Sequence, residues 1–178
     1  MPRTFTINLP ATSFVPEAGD GGAKFVNHTV SNIPRTALAF SDSTRDYSAI
    51  SQAFEWPDEY ADGTVKAVIY WYGRNVSNAV IWEISLEAET PGAAGATVDM
   101  EDGASSFGSV NQQSSTANGT EGEVTAQEVT LSNLDSPAIA KGDHVRIKLT
   151  RNADDTSVPD NFSGDAYVPL VVIYEVAT

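Results

Sequence analysis

Apolar and polar residues alternate along several short segments of this chain, which is typical of β-strands that bury one face. The clearest alternation lies in residues 145–150, VRIKLT, and the same pattern occurs in residues 4–9, 64–72 and 80–88. Residues 166–176, AYVPLVVIYEV, are instead apolar on both faces. This pattern predicts a central strand that is covered on both sides, because only such a strand gains from apolar residues at successive positions.

Turn-forming residues separate these segments. A turn with the sequence YGRN follows residues 64–72, so we predict that residues 64–72 and 80–88 form a β-hairpin. Pro169 lies inside the apolar segment near the end of the chain, and it predicts either a bulge or an edge position there because proline cannot donate a ladder hydrogen bond.

Three further segments give less regular patterns. Residues 49–54 fit either a short strand or a helical turn, and residues 123–131 change the parity of their apolar positions, which predicts a bulge. Residues 90–122 are rich in Gly, Ala, Ser and Thr. We predict that they form a long excursion with one short strand near residues 96–100.

Seven or eight short strands joined by long loops predict an all-β protein, an antiparallel jelly-roll β-sandwich, at residues 37–178. Residues 1–36 contain several Pro and Gly residues, and we predict that they form an extended N-terminal arm. The alternative is that residues 5–9 are the first strand of the sandwich. An arm that docks on a neighbouring chain would use its apolar residues as anchors, and the candidates are Phe5, Ile7, Leu9, Phe14 and Phe25.

The composition limits the possible functions. With 178 residues and 41% hydrophobic residues, the chain is long enough for one domain with a buried core. Its net charge of −14 repels phosphate backbones, so we expect no nucleic-acid partner. No apolar run is long enough to span a membrane, and no secretory signal is visible near the N-terminus. Cysteine is absent, which excludes disulfides and thiolate chemistry.

Catalytic signals are weak. His144 follows Asp143, but sequence neighbours on a strand point to opposite faces, so we predict that His144 is a surface residue, and His28 lies in the predicted arm. No nucleophile or phosphate-binding motif is present. Glu83 and Glu87 alternate on the outward face of one predicted strand, where they are either solvated or face a sugar. We favour the solvated interpretation and predict that the chain is not an enzyme.

Two acidic clusters contain the hard oxygen ligands that calcium prefers. The first consists of Asp154, Asp155, Asp160 and Asp165, and the second of Asp99, Glu101 and Asp102. Their spacing does not fit an EF-hand loop, and Asp is an ordinary turn residue. We therefore expect turns in these segments, with no bound metal and no cofactor.

Aromatic residues concentrate in the two central segments. Trp71 and Trp82 occupy the apolar faces of their predicted strands and should lie in the core. Tyr70 and Tyr72 share the opposite face, so they require either a second buried layer or a subunit interface. We include both tyrosines among the candidate interface residues.

The order of these segments resembles the jelly-roll domain of structural proteins of tailed bacteriophages, which serves as a head decoration or cement protein or as a domain of tail and fibre proteins. The resemblance covers residues 37–176 and rests on WPDEY, DGTVKAVIYWYG, AVIWEISLEAE, KGDHVRIKLTRNADD and SGDAYVPLVVIYEV. The matching positions are Pro57, Trp71, Trp82, Gly142, Asp143, Arg151, Asp154, Gly164, Asp165 and Tyr174.

The resemblance implies a non-enzymatic virion protein, made in the host cytoplasm and placed on the capsid surface. Its expected partners are two further copies in a homotrimer and the major capsid protein. The alternative that the resemblance leaves open is a carbohydrate- or receptor-binding module of a phage tail or fibre, whose ligand would be a glycan.

Overall fold

Two antiparallel β-sheets stack face to face in the computed structural model. It describes residues 2–18, 21–30, 33–42, 46–74, 77–91, 107–132, 134, 138–153 and 160–177, with only the backbone for 28–30 and 33–34. The strands are β1 (Arg3–Pro10), β2 (Phe14–Pro16), β3 (Lys24–Val30), β4 (Ile33–Phe40), β5 (Tyr47–Ser51), β6 (Phe54–Glu55), β7 (Val65–Gly73), β8 (Ala79–Glu89), β9 (Asn111–Thr116), β10 (Thr125–Thr130), β11 (His144–Arg151) and β12 (Ala166–Val176).

Sheet A has the strand order β10-β7-β12-β4-β3, and β1 also pairs with β12. Sheet B has the order β2-β5-β11-β8-β9, and β6 also pairs with β11. The described residues contain one 3-10 turn, Ala11–Ser13, and no helix with the length and hydropathy of a membrane span.

Strand β12 is the central strand of sheet A, as its continuous apolar sequence predicts. It pairs with β7 along one side and with β4 and β1 along the other. The register with β7 shifts between Tyr167 and Leu170, which confirms a bulge around Pro169. The bulge leaves the proline, which has no N–H group, outside the regular ladder.

The core lies between the inner faces of the two sheets. Trp71 of sheet A and Trp82 of sheet B are both fully buried, and their rings meet edge to face with 6.1 Å between centroids. Phe40 packs edge-on against Trp82 at 5.2 Å, and Phe162 packs against Trp71 at 5.3 Å. Each fully buried side chain of this size contributes about 1.5–3 kcal/mol, so this aromatic cluster is a major source of stability.

The predicted hairpin of residues 64–72 and 80–88 is wrong. Strand β7 belongs to sheet A and β8 to sheet B, so the connection between them crosses from one sheet to the other. The error has a physical reason: alternation shows which face of a strand is buried, and the inner faces of both sheets of a sandwich have the same pattern.

The predicted arm is also wrong for the described residues, because β1 pairs with β12 and β2 pairs with β5. Pro10 and Pro16 are the last residues of their strands, where a missing N–H group disrupts the ladder little. Gly22 allows a close approach of the chain to itself, since a Cβ atom there would lie 2.0 Å from the backbone oxygen of Glu17. Proline and glycine therefore shape strand ends and turns here.

The three segments with less regular patterns have different outcomes in the structure. Residues 49–54 contain parts of strands β5 and β6. The bulge predicted in residues 123–131 is wrong: β10 pairs with β7 in regular register, and Val124, whose position broke the parity, precedes the strand and is 41% exposed. The strand predicted near residues 96–100 lies outside the described residues, as do Asp99, Glu101 and Asp102.

Arg151, which belongs to the motif of the resemblance, is fully buried at the end of β11. Its guanidinium donates two hydrogen bonds to the Asp160 carboxylate, at 2.8 and 2.9 Å. The remaining bonds go to the carbonyl oxygens of Phe40, Gly164 and Phe162. All donors of the guanidinium are thus used, and they fix the segment that leads into β12.

Candidate functional site

A cleft with a volume of about 430 Å³ opens on the outer face of sheet B. Its floor consists of side chains from β5, β8 and β11, which belong to the outward positions of those strands. One wall contains Glu17 and Gly21, and the other contains Phe107 and Val110. A concave surface with polar side chains at fixed positions is the usual form of a ligand site.

The strand register places three polar residues of the floor, Ser48, Thr150 and Glu83, in one row with Gln112 of the neighbouring strand β9. Ser48 pairs with Thr150, Thr150 with Glu83, and Glu83 with Gln112, so each comes from a different strand. Neighbouring strands lie about 4.8 Å apart, so the row extends over roughly 14 Å. This length accommodates more than one ring of an elongated polar ligand.

Two charged groups form the side of the cleft nearest β2. The Nζ atom of Lys148 lies 3.0 Å from Oε1 of Glu17, and the Ser48 hydroxyl donates a hydrogen bond to Oε2. Burial raises the pKa of Glu17, but the hydrogen bonds from Ser48 and Lys148 outweigh it, and the pKa is lowered. Glu17 is therefore held as a carboxylate at neutral pH, which makes it a hydrogen-bond acceptor.

Glu83 occupies the middle of the polar row. Its Oε1 atom accepts a hydrogen bond from Nδ2 of Asn152 at 2.7 Å and one from Nε2 of Gln112 at 3.1 Å. These two bonds fix the direction of the carboxylate. Among the described residues no bond to Oε2 is present, so this oxygen is available to accept a hydrogen bond from a ligand hydroxyl.

Phe107 gives the cleft an apolar element. Its side chain is half-buried beside the polar floor, and Val110 next to it is 49% exposed. The floor offers carboxylate, hydroxyl, amide and ammonium groups, while the wall offers an aromatic ring. This combination suits a ligand that has many hydroxyl groups on its edges and apolar C–H groups on its faces.

A second groove, of about 560 Å³, lies beside the cleft on the same face of sheet B. Glu17 lines both cavities. The lining of the second groove is mainly aliphatic and contains Val15, Pro16, Ala18, Ile50 and Ala53. Val15 is 57% exposed, the largest exposure among the big apolar side chains described.

The two glutamates predicted from the sequence have different environments. Glu83 lies in the cleft, as the interpretation of a sugar-facing residue requires. Glu87 is 5% exposed and accepts a hydrogen bond from Nε of Arg146 at 2.6 Å. The solvated interpretation is therefore wrong for Glu87, because a cross-strand arginine that the local sequence does not reveal pairs with it.

The other candidate residues do not come together in a site. His144 is exposed at the start of β11, and His28 lies on β3 with its side chain outside the described part. Asp160 pairs with the buried Arg151, while Asp154 and Asp155 are outside the described residues. Within the described residues no group of three or more His, Asp or Glu side chains is arranged to hold a metal ion.

The candidate interface residues divide into two groups. Phe5, Leu9 and Phe14 are at most 8% exposed and belong to the core of their own chain, and the partly buried Ile7 packs against it. This corrects their assignment as docking anchors. The second group is Phe25, Tyr70 and Tyr72.

Phe25 is 48% exposed on β3, an edge strand of sheet A. Tyr70 and Tyr72 lie on the outer face of that sheet, and the ring of Tyr72 stacks on Tyr167 with 5.3 Å between centroids. The predicted second apolar layer is therefore formed in part by the chain itself. A subunit interface at these residues stays a prediction.

Sequence reasoning did not identify most of the cleft. Strand parity places Lys148 and Thr150 on the outward face, but it does not show which residues of other strands lie beside them. Glu17 lies in the Pro- and Gly-rich segment that the sequence analysis assigned to an arm. Only the long-range pairing of β2 with β5, and of β5 with β11, brings Glu17 next to Lys148.

No protein-family model matches the chain, and no curated protein sequence matches it either. Solved structures do resemble it. The CBM22-1 xylan-binding domain of Paenibacillus barcinonensis Xyn10C has a TM-score of 0.50 and 8% identity, over 99% of this chain and 96% of that chain. The tandem CBM22-1-CBM22-2 structure of the same enzyme has a TM-score of 0.51 and 16% identity, over 98% and 50%.

These likenesses agree with the two antiparallel sheets described above. The chain is a jelly-roll β-sandwich. A family 11 carbohydrate-binding module of the Clostridium thermocellum cellulase Lic26A-Cel5E is also similar, with a TM-score of 0.49 and 15% identity over 97% of this chain and 95% of that chain. At these identities the comparisons establish the fold and no more.

Proposed function

We propose that this chain is a non-catalytic carbohydrate-binding module, and that its ligand is a polysaccharide lying across the outer face of sheet B. The observation that carries the proposal is the row of Ser48, Thr150 and Glu83 on the floor of the cleft, which Gln112 continues on β9. A linear sugar chain presents hydroxyl groups at repeated intervals along its edges. A row of hydrogen-bonding side chains from adjacent strands matches such a ligand.

The structural neighbours support the proposal through their fold. Of the two with TM-scores of at least 0.5, the CBM22-1 structure is described as a xylan-binding domain, and the other is the CBM22-1-CBM22-2 tandem domain. Their binding property belongs to them, and fold alone does not transfer it. The shared fold does support a sheet face of this sandwich as the location of a glycan site.

Binding without catalysis fits the electrostatics of the cleft. A glycosidase needs one carboxyl group with a raised pKa that donates a proton to the leaving oxygen. Burial raises the pKa of Glu17, but the hydrogen bonds from Ser48 and Lys148 together lower it by more, so the net pKa is lowered. Glu83 already accepts two amide hydrogen bonds on Oε1, which orient its carboxylate as a hydrogen-bond acceptor.

The charges also indicate the class of polysaccharide. The described residues that line the cleft include the carboxylates of Glu17, Asp46 and Glu83 and one ammonium group, that of Lys148. The chain as a whole has a net charge of −14. Like charges repel, so we propose a neutral polysaccharide, and we expect polymers of uronic acids to bind poorly.

Affinity electrophoresis and calorimetry with soluble neutral polysaccharides, such as xylan, mixed-linked β-glucan and galactan, test the proposal. Glu83→Ala should lower the affinity for the bound polymer roughly tenfold or more, since a hydrogen bond to a charged group is worth about 1.5–3 kcal/mol. Glu59→Ala is the matched control, because Glu59 is exposed in a turn and does not line the cleft. Binding of no neutral polysaccharide, or equal affinity of both variants, would contradict the proposal.

Taking the phage resemblance together with the cleft, we propose that such a module belongs to a tail or fibre rather than to the capsid. A glycan-binding cleft suits attachment to a cell surface. The capsid surface as location, the major capsid protein as partner and the homotrimer stay predictions. The homotrimer is compatible with the proposed cleft, since Tyr70 and Tyr72 lie on the opposite sheet.

A further inference from the structure

The aliphatic groove beside the cleft has a different chemistry from the cleft itself. Its walls are Val15, Pro16, Ala18, Ile50 and Ala53, and no aromatic side chain is among the described residues that line it. An exposed aliphatic groove attracts apolar groups, because the release of water from such a surface lowers the free energy of the system. Val15 in particular is exposed for 57% of its surface.

The groove is continuous with the proposed polysaccharide site. The register places Val15, Ile50, Lys148 and Ser85 in one row across β2, β5, β11 and β8, next to the polar row. This row begins in the aliphatic groove and ends in the cleft. A polysaccharide seated in the cleft would therefore have part of its surface over the groove.

A bare sugar ring does not suit this position. Its hydroxyl groups would lose water without gaining hydrogen bonds from the aliphatic wall, which is unfavourable. An ester-linked acetyl group fits better because its methyl group is apolar and its carbonyl oxygen accepts a hydrogen bond. Donors for that oxygen stand beside the groove, namely the amide of Gln52 and the guanidinium of Arg146.

We infer that the neutral polysaccharide bound by this module carries acetyl groups, and that the groove formed by Val15, Ile50 and Ala53 receives one of them. This inference rests on the proposed function and names its substrate more closely. Arg146 is held in place for this role by its ion pair with Glu87, which uses Nε and Nη2 of the guanidinium. Arg146 also lines the groove, and the donors on Nη1 are not used by this ion pair.

Calorimetry with matched polymers tests the inference. Acetylated xylan and acetylated glucomannan are each measured before and after mild alkali has removed their acetyl groups. The parent protein should bind the acetylated form of its ligand roughly fourfold more tightly, which is the effect of burying one methyl-sized apolar group. Val15→Ser should abolish this preference, so that the acetylated and deacetylated forms bind with equal affinity.

Two further variants complete the comparison. Ala53→Gln places a longer side chain in the groove from an exposed position and should also remove the preference. Val124→Ser is the control, since Val124 is a comparably exposed valine outside both cavities. Glu83→Ala should weaken the binding of both polymer forms alike, because the cleft is common to both.

The outcomes separate this inference from the proposed function. Equal affinity of the parent for acetylated and deacetylated polymer, with Glu83→Ala still weakening both, would overturn the inference and leave the proposed function in place. If the protein binds neither form, both the inference and the proposed function are contradicted. A drop in particle mass of Val15→Ser in light scattering would show that a second copy of the chain covers the groove, and would also overturn the inference.

Discussion

Replacing Asp160 by Asn tests whether the buried pair of Arg151 and Asp160 fixes the segment before β12. The side chains are 0% and 2% exposed, respectively. The Asp160 carboxylate also accepts hydrogen bonds from the backbone N–H groups of Ile81 and Phe162, at 3.3 and 3.1 Å. It therefore joins the start of β8, the end of β11 and the segment leading into β12.

The expected loss is large because the arginine remains charged. Breaking a buried ion pair by changing one partner costs about 3–5 kcal/mol, since the other charge is left without compensation. For a domain of this size about 1 kcal/mol corresponds to 2–4 °C in Tm, so Asp160→Asn should lower Tm by roughly 6–20 °C. Replacing both partners by apolar residues should not restore stability, because Arg151 also donates to three carbonyl oxygens.

Urea unfolding followed by tryptophan fluorescence gives the free energy of unfolding for each variant. The control is Glu128→Gln, which removes the more exposed ion pair with Lys66, whose side chains are 24% and 46% exposed. Such surface pairs contribute about 0–1 kcal/mol. If Asp160→Asn costs no more than this control, or if Arg151→Met combined with Asp160→Leu is as stable as the parent, the reasoning fails.

Two other predictions concern the cleft and the assembly. The pKa of Glu17 lies below 4.5 in the folded state, so its contribution to stability should be complete above that pH and lost as the pH falls through the lower folded-state pKa. The Tm values of the parent and of Glu17→Gln should therefore differ at neutral pH and converge in acid. A Tm difference that stays constant with pH would contradict the lowered pKa of Glu17. Light scattering should give three times the 18.9 kDa chain mass, with Tyr70→Lys or Tyr72→Lys lowering it; a concentration-independent monomer would refute the trimer.

Periodicity was enough to predict the all-β class and the main core residues. The alternation around Trp71 and Trp82 placed both rings inward, and both are fully buried. The apolar sequence of residues 166–176 predicted a central strand, which β12 is. These properties depend on which residues of one strand share a face, and the sequence shows this directly.

The candidate site depends on information that a local pattern does not contain. The alternation of each strand places Glu83 and Thr150 on outward faces, but their proximity to each other follows from the register between β8 and β11. Glu17 reaches the cleft only because β2 adds to the edge of sheet B. Register is set by turn geometry and by the complete set of strand pairings, so it emerges only with the assembled fold.

The central position of β12 has a consequence for how the protein is made. Its partners β1, β4 and β7 all lie within residues 3–73, so sheet A has no middle strand until residues 166–176 have been synthesised. Pairings this distant in sequence form slowly, typically over milliseconds to seconds. Until then the early strands have unpaired edges and uncovered apolar faces, which are the features that promote association between nascent chains. The yield of folded protein should therefore be higher under conditions that delay contact between nascent chains until β12 has emerged from the ribosome.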